Sequence, residues 1–197
     1  MNGIQTSILW FRHWLTTSFD RSKGRVVVHL PAAGTRLRRL RQIILQIVEI
    51  CEEFRIAIEF HVTSGDGERL DEEVQEGVFS NISFYSINSF FNIYWPNRPK
   101  YKYGHQIIIR RIDIHEVYEL NQLPQVDIII FSAHPNNVHK GRWTLDTCSA
   151  INEELVSGGL IIRTEDKMRD FSSISRLITE REIQLDEANW YDVWKKK

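Results

Sequence analysis

Val126-Asp-Ile-Ile-Ile-Phe131 leads through an amphipathic stretch, Leu145–Leu155, to Ser157-Gly-Gly159 and a second apolar run, Leu160–Thr164. The first run is short, β-branched and almost continuously apolar. Such runs suit strands buried on both faces of a parallel sheet. The amphipathic stretch predicts a helix, and the glycine pair predicts its break. Strand, helix and strand in this order form a crossover unit whose two strands run the same way.

Working outward, the same alternation recurs upstream. Arg25–Leu30 (RVVVHL) is a second β-branched run, followed by the small-residue turn Pro31–Thr35. Leu37, Leu40, Ile44, Ile47, Val48 and Cys51 then mark one face of a long helix ending near Phe54. Arg55–Val62 reads as the next strand, closed by Thr63-Ser-Gly-Asp-Gly67, and Leu70–Val78 as a short acidic helix. Before all of these, Ile4–Phe19 has helical spacing and Asp20–Gly24 is a polar turn. Residues 80–104, rich in aromatics and carrying Pro96 and Pro99, read as an irregular inserted loop or lid. A further strand centres on Ile107–Ile109, a helix on Ser173–Ile178, and two edge strands on Glu182–Asp186 and Trp190–Trp194. The pattern predicts one α/β domain over residues 1–197, a Rossmann-like three-layer sandwich. Its sheet is mainly parallel, with a C-terminal antiparallel pair. Ligands of such sheets bind beyond the C-terminal strand ends where strand order reverses. That point is expected beside Arg25–Leu30.

The 197 residues are 42% hydrophobic and 26% charged, ordinary globular values. Lys plus Arg is 25 and Asp plus Glu 26, a net charge of −1 that argues against a uniformly basic nucleic-acid coat. Cys51 and Cys148 are too few for a disulfide framework and fit buried free thiols. No spacing suggests a metal site. Arg12 and His13 interrupt the first apolar run, which excludes a secretory signal there, and no run approaches a membrane span. A cytoplasmic location is expected.

Val126–Phe131, the helix after it and Ile151–Ile162 with its Gly-Gly lead resemble the fourth strand, helix and fifth strand of the class I S-adenosylmethionine-dependent methyltransferases. Ile183–Trp194 is similar to that family's terminal hairpin. The resemblance implies S-adenosylmethionine as cofactor. It places the methionine part of the cofactor on the loop after the first strand, here Pro31, Ala32 and Gly34. The family's loop has more glycines, and its acidic residue near the strand end is replaced in His29-Leu-Pro-Ala-Ala-Gly-Thr35. The place of the family's ribose acid at the second strand's end falls on His61, so the resemblance implies Glu59 just before it or Asp66 just after the strand in that role. Asp113 matches the family's acid near the adenine. Ser132-Ala-His-Pro-Asn-Asn-Val-His139 falls where the family faces cofactor and substrate. The resemblance thus implies Ser132 beside the cofactor and His134, Asn136 and His139 in the catalytic role. Read without the family, these positions are a strand-to-helix turn, a strand face, a turn aspartate and polar loops.

Arg36, Arg38, Arg39 and Arg41 crowd the start of the long helix, while Glu49, Glu52 and Glu53 crowd its end. Both charges oppose the helix dipole. An anionic ligand or partner at the arginines would relieve that cost; an exposed face paired with acidic loops is the alternative. Arg110, Arg111 and the aromatic-basic run Tyr94–Tyr103 could extend a contact with nucleic acid or protein. Three functions follow. The first is a methyltransferase of unread substrate. The second is an inactive methyltransferase-like subunit or adaptor that binds through the arginine-rich face. The third is another Rossmann-like nucleotide enzyme or sensor.

Overall fold

The protein is described by a computed structural model covering residues 9–31, 37–63, 83–85, 106–110, 124–131, 153–164, 182–187 and 191–197. The described strands are β1 (Arg25–Leu30), β2 (Ala57–Thr63), β3 (Ser83–Tyr85), β4 (Gln106–Arg110), β5 (Val126–Phe131), β6 (Leu155–Thr164), β7 (Glu182–Glu187) and β8 (Tyr191–Lys196). Two helices, α1 (Leu9–Thr17) and α2 (Leu37–Glu53), accompany them. The strands form one eight-stranded sheet in the order β3-β4-β2-β1-β5-β6-β8-β7. The ladders β3/β4, β4/β2, β2/β1, β1/β5 and β5/β6 are all parallel. β8 is antiparallel to both β6 and β7, so it alone among the described strands runs backwards. This is a Rossmann-like α/β sheet with a C-terminal antiparallel pair. Strand order reverses at β1, which lies between β2 and β5.

One sheet face is apolar. Val26, Val28 and Leu30 of β1 line up with Ile58, Phe60 and Val62 of β2, Ile128 and Ile130 of β5, and Leu160 and Ile162 of β6. Helix α1 adds Phe11, Trp14 and Leu15, and α2 adds Ile44, Ile47, Val48 and Cys51, to the same buried cluster. Apolar side chains at helical spacing on both elements made this the natural covering of a period-two apolar strand face. Within α1, Phe11 stacks on Trp14 at 5.7 Å. The helices expected on the opposite face lie outside the described residues, apart from Glu153 and Glu154 at the end of one.

Several expectations are corrected. Residues 80–104 are not wholly irregular, because Ser83–Tyr85 pairs in parallel with β4. Alternating Ser, Phe and Tyr carry too short a pattern to mark a strand. Leu155 begins β6 rather than ending a helix, and Ser157-Gly-Gly159 does not interrupt the strand. Between the pairs Val126/Leu155 and Ile128/Leu160 the register shifts, so Asp127 faces the segment Val156–Gly159 as a wide bulge. Gly158 has φ +76°, and a Cβ on Gly159 would lie 2.9 Å from the Asp127 carbonyl oxygen. Glycines at these two positions let the strand swell instead of breaking. The C-terminal strands are not both edges, since β8 sits between β6 and β7. The helices expected at Leu70–Val78 and Ser173–Ile178, and residues 4–8 of the leading helix, lie outside the described residues.

The end of α2 shows how one residue sets a strand's start. The Ile56 amide donates to the Cys51 carbonyl and the Arg55 amide to Glu52, with Arg55 at φ 58°. That is a Schellman cap with arginine where glycine is usual. It turns the chain so that β2 begins at Ala57, two residues later than the β-branched pattern suggests. Among the described residues, no helix is long and apolar enough to cross a membrane.

Candidate functional site

The C-terminal ends of β1 and β5 flank the reversal point. Pro31, the first residue after β1, is buried there. Its ring fixes φ and ends the ladder by removing an amide donor. Helix α2 carries Arg38, Arg39 and Arg41 in its opening turns. Ala32, Gly34, Arg36, Asp66, Asp113, Ser132, His134, Asn136 and His139 lie outside the described residues.

Below these ends, the sheet face opposite the two helices mixes apolar side chains, Val27, Ile129 and Ile161, with polar ones. Arg25, Val27 and His29 alternate on β1, in register with Ala57, Glu59 and His61 on β2. Parallel register puts each pair on one face. Glu59 is inside β2, not at its end. One carboxylate oxygen lies 2.6 Å from His61 Nε2, and the other accepts from the Arg25 guanidinium. The hydrogen bond to His61, opposed by burial and aided by the Arg25 charge, holds the Glu59 carboxyl below the ordinary range. Its two oxygens are thus already engaged within the sheet.

His29 and His61 are direct register partners, and both are buried. His29 Nδ1 lies 3.2 Å from Oε2 of Glu154, a buried carboxylate on the residue just before β6. On the other side of β1, Asp127 is 2% exposed and accepts from the Val27 amide at 2.9 Å and from Lys23 Nζ at 2.9 Å. Asp127 thereby occupies the ladder position below the first β1/β5 register pair, Val28/Ile128.

The exposed Arg25 and the buried His29, Asp127 and Glu154 were missed as candidates, and His61 was noted only for standing where the family has its ribose acid. Their signal is present in the sequence. In RVVVHL and RIAIEFHV the polar residues, Arg25, His29, Arg55, Glu59 and His61, fall only at odd-numbered positions of otherwise apolar runs. That reads as polar groups confined to one of the two faces rather than two wholly apolar faces. Glu154 has no such signal, because its partner is 125 positions away by the chain numbers His29 and Glu154. Among the described residues, no group of three or more His, Cys, Asp and Glu is placed to hold a metal ion.

Comparison with solved structures bears on the fold as a whole. The citrinin polyketide synthase CMeT domain is similar over 98% of this chain, at 11% identity and a TM-score of 0.57. The N-methyltransferase NodS from Bradyrhizobium japonicum WM9 is similar over 99% of it, at 9% identity and a TM-score of 0.50. The chain has the class I methyltransferase fold. The chain spans 97% of NodS but 52% of the CMeT chain. It spans 37% of the T. thermophilus 16S rRNA N2 G1207 methyltransferase RsmC, a structure in complex with AdoMet and guanosine, at 15% identity and a TM-score of 0.48. No family model and no curated protein matches the sequence.

Proposed function

We propose that the protein is an S-adenosylmethionine-dependent methyltransferase. The observation that carries this reading is the strand order, with β1 between β2 and β5 and the reversed β8 between β6 and β7. It joins the late-strand resemblance in the sequence to a fold that methyltransferases share.

When bound, S-adenosylmethionine supplies an electrophilic methyl group on a sulfonium. The chain's own part is alignment and water exclusion. Pro31, Ala32 and Gly34 would give the close backbone approach after β1. Asp66 would take the ribose hydroxyls, since both oxygens of the other candidate, Glu59, are engaged by Arg25 and His61. Asp113 would accept from the adenine amino group, and Ser132 would border the cofactor. His134, Asn136 and His139 would orient or deprotonate the acceptor. Titration calorimetry with S-adenosylmethionine and S-adenosylhomocysteine tests this. Saturable binding of both is expected; no binding of either at millimolar concentration overturns it.

The single glycine in Pro31–Thr35 favours a second reading, a binding subunit without catalysis that contacts nucleic acid or protein through Arg36, Arg38, Arg39 and Arg41. Charge reversal at these arginines would then abolish partner binding, and retained binding would exclude it. The protein would act inside the cell in either case.

A further inference from the structure

The turns that open β1 and β2 lie side by side. The Ala57 amide donates to the Gly24 carbonyl at 3.1 Å, and Arg25 is the register partner of Ala57. These turns carry Arg21, Lys23, Arg25 and Arg55, all exposed. The Arg21 guanidinium lies over the Phe54 ring, 5.2 Å from its centroid, next to Arg55 in the chain. At the same end of the sheet, Lys195 of the reversed β8 donates to Ser18 Oγ at 3.0 Å, just ahead of the Asp20–Gly24 turn.

Negative charge at this end is set inward or engaged. The acids that pair with Lys23 and Arg25 are Asp127 and Glu59, whose side chains are 2% and 10% exposed, against 42% and 50% for the two cations. Asp20 is turned to the amide and hydroxyl of Ser22, and Glu53 to Arg12. Glu52 is half-buried in the last turn of α2. Arg21, Arg55 and Lys195 have no ion pair with a described acid. Arg55 adds an observation of another kind. Among the described residues it is the one non-glycine at positive φ, in a cap position where glycine is less strained. Backbone strain of this sort collects where a side chain serves binding, and here that side chain is an exposed guanidinium.

This end offers cations without an apolar anchor. The large hydrophobic side chain exposed among the described residues is Leu9, at the other end of α1. Protein interfaces centre on buried aromatic or aliphatic anchors. Nucleic-acid backbones are held by spaced cations, and a guanidinium matches a pair of phosphate oxygens. We propose that Arg21, Lys23, Arg25, Arg55 and Lys195 form a contact surface for the phosphate backbone of a nucleic acid. Contacts of this kind position a nucleic acid without reading its sequence. The surface lies at the N-terminal ends of β1 and β2, away from Pro31 and the start of α2, so it is independent of the methyltransferase reading and of Arg36–Arg41.

The test is fluorescence anisotropy of the full chain with a short labelled DNA duplex at several salt concentrations. Binding should weaken as salt rises, with a log–log slope of about −0.9 for each phosphate neutralised, up to about −4.5 for five cations. Arg21→Gln, Arg55→Gly and Lys195→Gln leave Lys23 and Arg25, which also hold buried acids, in place. Each should weaken binding and reduce the slope by about one. Arg55→Gly separates contact from folding, because it relieves the strained cap and should weaken binding without lowering Tm. No binding of the duplex by the wild type at low salt, or wild-type affinity and slope in all three variants, overturns the proposal. Poly-L-glutamate displacing the label as effectively as unlabelled duplex at equal charge overturns it too, in favour of an acidic protein. Binding of S-adenosylmethionine, measured separately by calorimetry, is unaffected by any of these outcomes.

Discussion

Asp127 joins three parts of the chain through one side chain. It accepts from the Val27 amide and from Lys23, 104 positions away, while itself nearly wholly buried. Replacing it with alanine strands a buried amide, so Asp127→Ala should lower stability by about 1–3 kcal/mol in chemical denaturation. Asp127→Asn keeps an acceptor for the amide and should lose less. Arg55 presents the opposite case, a residue under strain. Its φ of 58° is one that side chains with a Cβ resist. Arg55→Gly should therefore stabilise by up to about 1 kcal/mol, the gain being limited by the added freedom of glycine in the unfolded chain. Glu59 sets a pH dependence. Its carboxyl is held below the ordinary range when folded, so its contribution is present above that range and is lost as pH falls through the lowered value. Denaturation midpoints measured from neutral to acid pH should fall less steeply in Glu59→Gln than in the wild type.

At the scale of elements, the bulge in β6 is the most demanding local structure. A Cβ on Gly159 would meet Leu155 Cδ1 at 2.6 Å and the Asp127 carbonyl at 2.9 Å, whereas one on Gly158 meets nothing nearer than 3.9 Å. Backbone cannot yield as a side chain can, so Gly159→Ala should cost more than Gly158→Ala. The latter should cost about 1 kcal/mol for its positive φ. Thermal or urea unfolding of the two variants orders them. The bulge also holds α1 in place, because the Trp14 indole N–H donates to the Gly158 carbonyl at 2.8 Å. Glycines at a break and glycines in a bulge look alike in sequence, and only the facing strand tells them apart. That is why β1, β2, β4 and β5 were legible from apolar runs while the start of β6 was not. β3 was illegible for another reason: three residues hold too little of a period to register. The candidate site was legible only where the chain itself brings residues together. Glu59 and His61, two positions apart, could be singled out, whereas the His29–Glu154 contact depends on how distant strands are ordered.

For the whole molecule, the two sheet faces divide the labour. One face buries the apolar cluster with α1 and α2; the other buries the acids Glu59 and Asp127, whose partners Arg25 and Lys23 stay half exposed. The near-zero net charge is consistent with this pairing, since Arg25, Lys23 and Arg12 each meet an acid. The methyltransferase reading makes a prediction at this scale. A ligand that binds only the folded chain stabilises it by mass action, by about 2.7 kcal/mol at a hundredfold excess over Kd. S-adenosylmethionine should accordingly raise Tm in a concentration-dependent way, measured by scanning calorimetry.

The place of β8 has a further consequence, in the order of synthesis. β7 is made before β8, yet it reaches the sheet only through β8, which separates it from β6. Until β8 has left the ribosome, β6 offers an open edge and β7 has no strand to join. Such edges recruit other chains. A ribosome stalled between the two strands would thus hold a nascent chain that chaperones must shield, and one released there should be cleared by proteolysis rather than accumulate.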